Sequence, residues 1–79
     1  MSNEQRATYE SLIRGALDIL SRTPHIGRPR HELSRDLHSH PAGSHIVYYW
    51  VTNSSIIVAH ILHNRRDPGR ENWIIPNDE

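Results

Sequence analysis

The chain has 79 residues, with nine basic and nine acidic side chains, no Cys and a formal net charge of zero. One domain of that size buries only about 60–65% of its unfolded surface, so its stability margin is thin and a binding partner matters to it. The charge balance carries no nucleic-acid signal, and the lack of Cys excludes disulfides, thiol catalysis and Cys-ligated zinc. Polar residues follow Met1, and the apolar runs are far shorter than a membrane span. The expected location is therefore the cytoplasm. All nine basic residues are Arg, whose planar fork of donors suits carboxylates, phosphates and aromatic faces.

Residues 3–22 read as a helix. Tyr9, Leu12, Ile13, Ala16, Leu17 and Leu20 recur at i, i+3, i+4, i+7, i+8 and i+11, which is one helical face. Glu10 and Arg14 stand at i, i+4 in the favourable orientation, and Ser2 with Gln5, or Asn3, offers an N-cap. Thr23-Pro24 ends the helix, because the residue before proline is pushed out of the α region. An Ala/Leu/Ile stripe of this kind is core packing and carries no chemistry.

Residues 23–36 form a loop in which Gly27 permits a turn and Pro29 fixes the chain between two arginines. Arg22, Arg28, Arg30 and Arg35 face only Glu32 and Asp36 there. That is either a solvated connection with weak ion pairs or a patch for an acidic partner or a phosphate backbone.

From Leu37 the pattern changes to period two, and residues 37–63 read as a sheet of three antiparallel strands. Leu37 to His40 is a short strand stopped by Pro41 and Gly43. Ser44 to Thr52 is a central strand, with Ile46, Tyr48 and Trp50 on one face and Val47, Tyr49 and Val51 on the other. Thr52-Asn53-Ser54-Ser55 is a hairpin turn in which Asn53 is suited to a left-handed backbone. Ile56 to His63 is the third strand, with Ile57, Ala59 and Ile61 assigned to one face and Ile56, Val58 and Leu62 to the other. Residues 64–79 form an Arg-rich end and a tail, where Trp73-Ile74-Ile75 is placed to dock on the body. The expectation is one domain over 1–79, of α+β class: an amphipathic helix on a small antiparallel sheet.

Seven His invite a metal reading, but no Cys or carboxylate stands at ligand spacing, and no metal site or cofactor is expected. Ser44 beside His45 is a turn and a strand start, with no nucleophile elbow. The stretch with most chemistry is His63-Asn64-Arg65-Arg66-Asp67, which ends the last strand. His63 is a candidate general base and Arg65 a candidate for stabilising phosphorane-like charge. The plainer reading has Asp67 holding Arg65 in an ion pair while His63 caps the sheet edge.

Three linked words occur in order: P-x-IGRPR-x-EL, then S-x-P-x-GSH followed by YY-x-V, then ILH-x-R-x-D. Together they resemble the ParE branch of the RelE/ParE superfamily, the toxins of type II toxin–antitoxin systems. The resemblance runs over roughly residues 8–70 and implies a toxin that inhibits DNA gyrase by protein–protein contact and causes growth arrest. It further implies neutralisation by a ParD-like antitoxin, no membrane, and no direct DNA binding by the toxin alone. Target contact would fall on His63, Arg65, Arg66, Asp67 and Arg70, and antitoxin contact on Arg28, Arg30, Tyr9, Leu12 and Leu20. On this reading there are no catalytic residues. The alternative is a RelE-like, ribosome-dependent mRNA endoribonuclease using His63, Arg65 and Tyr49. A third is an inactive remnant that only binds antitoxin.

Two departures from the family pattern stand out. His38, Trp50 and His60 occupy positions where ParE-like chains commonly carry Arg, which removes positive charge near the sheet. The family fold is also expected to open with a strand and a helix ahead of the helix seen here. Without them, the chain on its own is expected to self-associate, to bind an antitoxin obligately, or to gain stability when extended upstream.

Overall fold

The computed structural model describes the backbone of residues 2–53 and 55–74, and side chains from Thr8 onward. The cap side chains proposed at Ser2, Asn3 and Gln5 lie outside the described side chains, and Ile75 and Ser54 of the turn lie outside the described residues. Helix α1 spans Ser2–Arg22. A short 3-10 turn follows at Pro24–Ile26. The strands are β1 (Arg28–Pro29), β2 (Leu37–Ala42), β3 (His45–Val51) and β4 (Ile56–His63). A second 3-10 turn covers Pro68–Arg70. The sheet is antiparallel in the order β1-β2-β3-β4, with α1 packed on one face.

The α+β architecture is the expected one, but the sheet has four strands instead of three. The extra strand lies in the stretch read as loop, where Arg28 pairs with Ser39 and Pro29 with His38. A two-residue strand has no alternation to detect, so nothing in the sequence pattern marks it. The second difference is at Pro41, which lies inside β2 and does not stop it. Arg30 donates its N–H to the Leu37 carbonyl (2.8 Å), so Leu37, Ser39 and, by alternation, Pro41 direct their main-chain groups away from β3. At that position the missing N–H of proline breaks no ladder bond.

Strand β3 is central and buried on both faces. Val47 and Tyr49 join Ala16, Leu20 and Ala42 beneath the helix, with Ile13, Leu17, Val51, Ile56 and Ile61 packed around them. On the other face Leu37, Tyr48 and Trp50 pack with Leu33, Ile46, Ala59, Leu62 and Trp73. The helix therefore buries the line Ile13, Ala16, Leu17, Leu20, while Tyr9 (41% exposed) and Leu12 (46%) fall to either side of it. One turn before the helix end, Arg22 pairs with Asp18 at 2.9 Å, and Thr23 closes the end with its N–H and hydroxyl on the Ile19 carbonyl. Among the described residues this is the i, i+4 ion pair of the helix, rather than Glu10–Arg14.

The face assignment of β4 needs correction. Tyr48 is paired with His60 but Tyr49 with Val58, so Ala59 is an extra residue, a bulge. Strict alternation fails there. Ile56 and Ile61 share the helix face, although the sequence pattern set them on opposite faces, and Ala59 and Leu62 share the other.

Gly27 has an ordinary extended backbone (φ −72°, ψ 163°), so its need for glycine is not conformational freedom. It is close approach: a Cβ there would collide with the Tyr49 hydroxyl and lie 2.9 Å from the Ser39 carbonyl oxygen. Positive φ among the described non-glycine residues falls at Asp36 (62°), and Gly43 (66°) makes the β2–β3 turn. No helix among the described residues is long and apolar enough to cross a membrane.

Candidate partner-binding surfaces

The end of β4 places His63 directly opposite His45 on β3, with ring centroids 5.3 Å apart in a T-shaped contact. Tyr9 of the helix meets the same His45 ring at 4.6 Å. The exposed His63 accepts the Arg65 main-chain N–H at Nδ1 (3.2 Å), which turns that nitrogen into the turn. Asp67 does not hold Arg65. Its Oδ1 accepts the Gly69 N–H at 2.9 Å and opens the second 3-10 turn. The ion pair in this stretch joins Arg66 to Glu71 (2.9 Å), a residue of the tail. The segment that looked like a five-residue chemical set thus resolves into a cap, one paired arginine and the exposed Arg65; Arg70, three residues on, is exposed as well.

Tyr49 is not brought to this end. It is fully buried, donates its hydroxyl to the Pro24 carbonyl (2.6 Å) and accepts the Gly27 N–H (3.1 Å). Burial pushes its pKa above the ordinary tyrosine value, with the Gly27 bond opposing. It lies four steps along the strand from His45, about 13 Å at the usual rise. The trio His63, Arg65 and Tyr49 is therefore split between two ends of the sheet.

The loop arginines divide in the same way. Arg30 is held by Glu32 (Nε to Oε2, 2.7 Å), with its guanidinium 5.5 Å over the Tyr48 ring. That hydrogen bond holds the exposed Glu32 carboxyl below the ordinary carboxylate range. Arg28 and Arg35 are exposed. Among the residues assigned to an antitoxin contact, Leu20 is wholly buried and presents nothing to a partner, because it is the deepest point of the helix line. Tyr9 and Leu12 do present surface. Each borders an apolar groove beside the helix: one of about 330 Å³ with Ile13 and Leu17, the other of about 290 Å³ with Ala16, Ile19, Pro41 and Ala42.

The three positions that depart from the arginine pattern all have internal uses. His38 stacks on Tyr49 (5.6 Å) and its Nδ1 lies 3.2 Å from the Asp36 carbonyl. Trp50 donates to Ser34 Oγ at 3.3 Å, and His60 contacts the Asn72 carbonyl (3.1 Å) and the Trp73 ring (4.9 Å). Trp73 docks as expected, through Tyr48 (5.1 Å) and its own N–H on the Pro68 carbonyl (2.8 Å), whereas Ile74 is 71% exposed. Sequence reasoning missed Ile19, which is 47% exposed beside the helix stripe and lines the second groove. Its place one residue before buried Leu20 was the available signal.

A helix packed on an antiparallel sheet defines a small α+β domain, here with grooves beside the helix and exposed guanidiniums. The family model for the ParE toxin of the type II toxin–antitoxin system, parDE, matches residues 1–68. The chain belongs to that family of toxins. The match ends where the second 3-10 turn begins. No curated protein matches the chain.

Proposed function

We propose that this ParE-family toxin acts by protein–protein contact, inhibiting DNA gyrase, and that a ParD-like antitoxin neutralises it in the cytoplasm. The observation that carries the reading is the separation of Tyr49 from His63 and Arg65. The tyrosine is locked under the Pro24–Gly27 turn, and the imidazole Nδ1 is engaged by a main-chain N–H. What the end of β4 offers instead is exposed Arg65 and Arg70 on a turn stiffened by Asp67. Guanidiniums on a rigid turn suit an acidic protein surface. The helix grooves bordered by Tyr9 and Leu12, the first also lined by Arg14, together with exposed Arg28 on β1, suit an amphipathic acidic antitoxin segment.

The test sets two assays side by side. Purified protein should stall gyrase-dependent supercoiling, and Arg65→Ala with Arg70→Ala should reduce that effect without unfolding the sheet. Ribosomal A-site cuts in mRNA, lost in His63→Ala, would overturn the proposal in favour of a ribonuclease.

A further inference from the structure

Two pairs of histidine rings meet in the fold. His45 and His63 face each other across β3 and β4, and there His63 Nδ1 is already taken up by the Arg65 N–H. His25 and His38 meet between the first 3-10 turn and β2, with ring centroids 5.9 Å apart at 79°. Thirteen positions separate these two in the chain, so no ligand spacing joins them in the sequence.

Tyr49 places both rings. Its hydroxyl pins the turn that carries His25, through the Pro24 carbonyl and the Gly27 N–H. Its ring is the bed for His38, which stacks on it at 5.6 Å and 25°. A further constraint on His38 comes from Asp36, a non-glycine residue with left-handed backbone (φ 62°), whose carbonyl lies 3.2 Å from Nδ1. A carbonyl only accepts, so this bond is made by the tautomer with its proton on Nδ1. That tautomer keeps a lone pair on Nε2. An imidazole whose other nitrogen donates to a main-chain carbonyl is how proteins orient metal-ligating histidines. Across the sheet His38 is paired with Pro29, so no charged side chain stands opposite it in register. His25 is exposed, and its ring turns at little cost.

We propose that His25 and His38 form a two-histidine site for a divalent transition-metal ion of the Zn²⁺ or Cu²⁺ class, both of which suit imidazole. A metal about 2.0–2.1 Å from one nitrogen of each ring, at a tetrahedral angle, sets the ring centres about 5.2 Å apart. The observed separation is 5.9 Å, and a shift of less than about 1 Å in the exposed His25 closes the difference. Among the described residues no three His, Asp or Glu side chains gather as a ligand set, so water fills the remaining positions and the ion exchanges with solution. Bound there, the ion clips the turn after α1 to β2 and closes the loop that holds β1 and Asp36.

Zinc chloride added alone to the 79-residue chain should bind at one ion per chain by calorimetry. It should also raise the melting temperature, by about 6–11 °C for each tenfold of metal above Kd. His25→Gln should abolish the rise while leaving the metal-free melt at the parent's value, since that ring is exposed. His38→Gln should abolish it as well, with a lower metal-free melt because the stacking on Tyr49 changes. Should His38→Gln fail to fold, His25→Gln decides alone. His31→Gln, exposed in the neighbouring loop, should bind as the parent does. With copper sulfate as the probe, the electron paramagnetic resonance spectrum of the parent should show coupling to two imidazole nitrogens. Metal binding that survives His25→Gln overturns the proposal, as does binding lost in His31→Gln. No shift in melting at sub-millimolar zinc overturns it equally.

Discussion

The Tyr49 hydroxyl bridges two main-chain groups, donating to the Pro24 carbonyl at 2.6 Å and accepting the Gly27 N–H at 3.1 Å. One side chain of the central strand thereby ties down the turn that leads the chain from the helix to β1. Tyr49→Phe keeps the ring and its packing but leaves a buried N–H and a carbonyl unpaired. The expected cost is about 1–3 kcal/mol. In a domain of this size each kcal/mol lowers the melting temperature by about 4–8 °C, which a thermal melt of variant and parent measures directly.

The same residue sets an alkaline limit. Burial raises the Tyr49 pKa in the folded chain, and an ionised oxygen has no proton to give to Pro24. In the unfolded chain a tyrosine ionises near pH 10. A raised folded value means the contribution is fully present below about pH 10 and is lost as pH rises through the folded pKa. Denaturant titrations on either side of pH 10 should show the parent losing more stability than Tyr49→Phe. Equal losses would place the alkaline sensitivity elsewhere.

Trp73 lies beyond the family match, yet it covers Tyr48 and His60 on the face opposite the helix. Removing a fully buried large aromatic costs about 3–5 kcal/mol, so about 2 kcal/mol is expected for this half-buried ring. Trp73→Ala should lower the melting temperature, and a chain ended at residue 68 should lose about as much. If both melt like the parent, the tail adds nothing to the fold.

The loop arginines should separate binding from stability. Arg28 is exposed, so Arg28→Glu should slow capture of an acidic antitoxin segment, with the effect fading in salt and the melting temperature unchanged. Arg30 is tied to Glu32 and seated over Tyr48, so Arg30→Glu should lower the melting temperature itself by bringing two carboxylates together. Association rates by surface plasmon resonance beside thermal melts distinguish the two. Slower capture with no change in melting for Arg30→Glu would contradict its structural place.

Most of the secondary structure was legible because its signals are local. The apolar spacing in residues 9–20 allows one helical face, and Ile46 to Val51 alternates cleanly into two buried faces on a central strand. The three linked words pointed to the toxin family that the match to residues 1–68 establishes. Tertiary structure decided what local pattern cannot contain. The crossing of the helix over the sheet buries Leu20 and leaves Leu12 half in solvent, though both belong to the same stripe. One extra residue at Ala59 reverses the faces of half of β4, because a period of two has no memory across an insertion. Gly27 is required by a hydroxyl twenty-two positions away, and Arg66 finds Glu71 because the chain turns back after Pro68. Chain spacing limits which side chains can meet along one element. Which of them do meet is set by register and crossing, and those are properties of the folded whole.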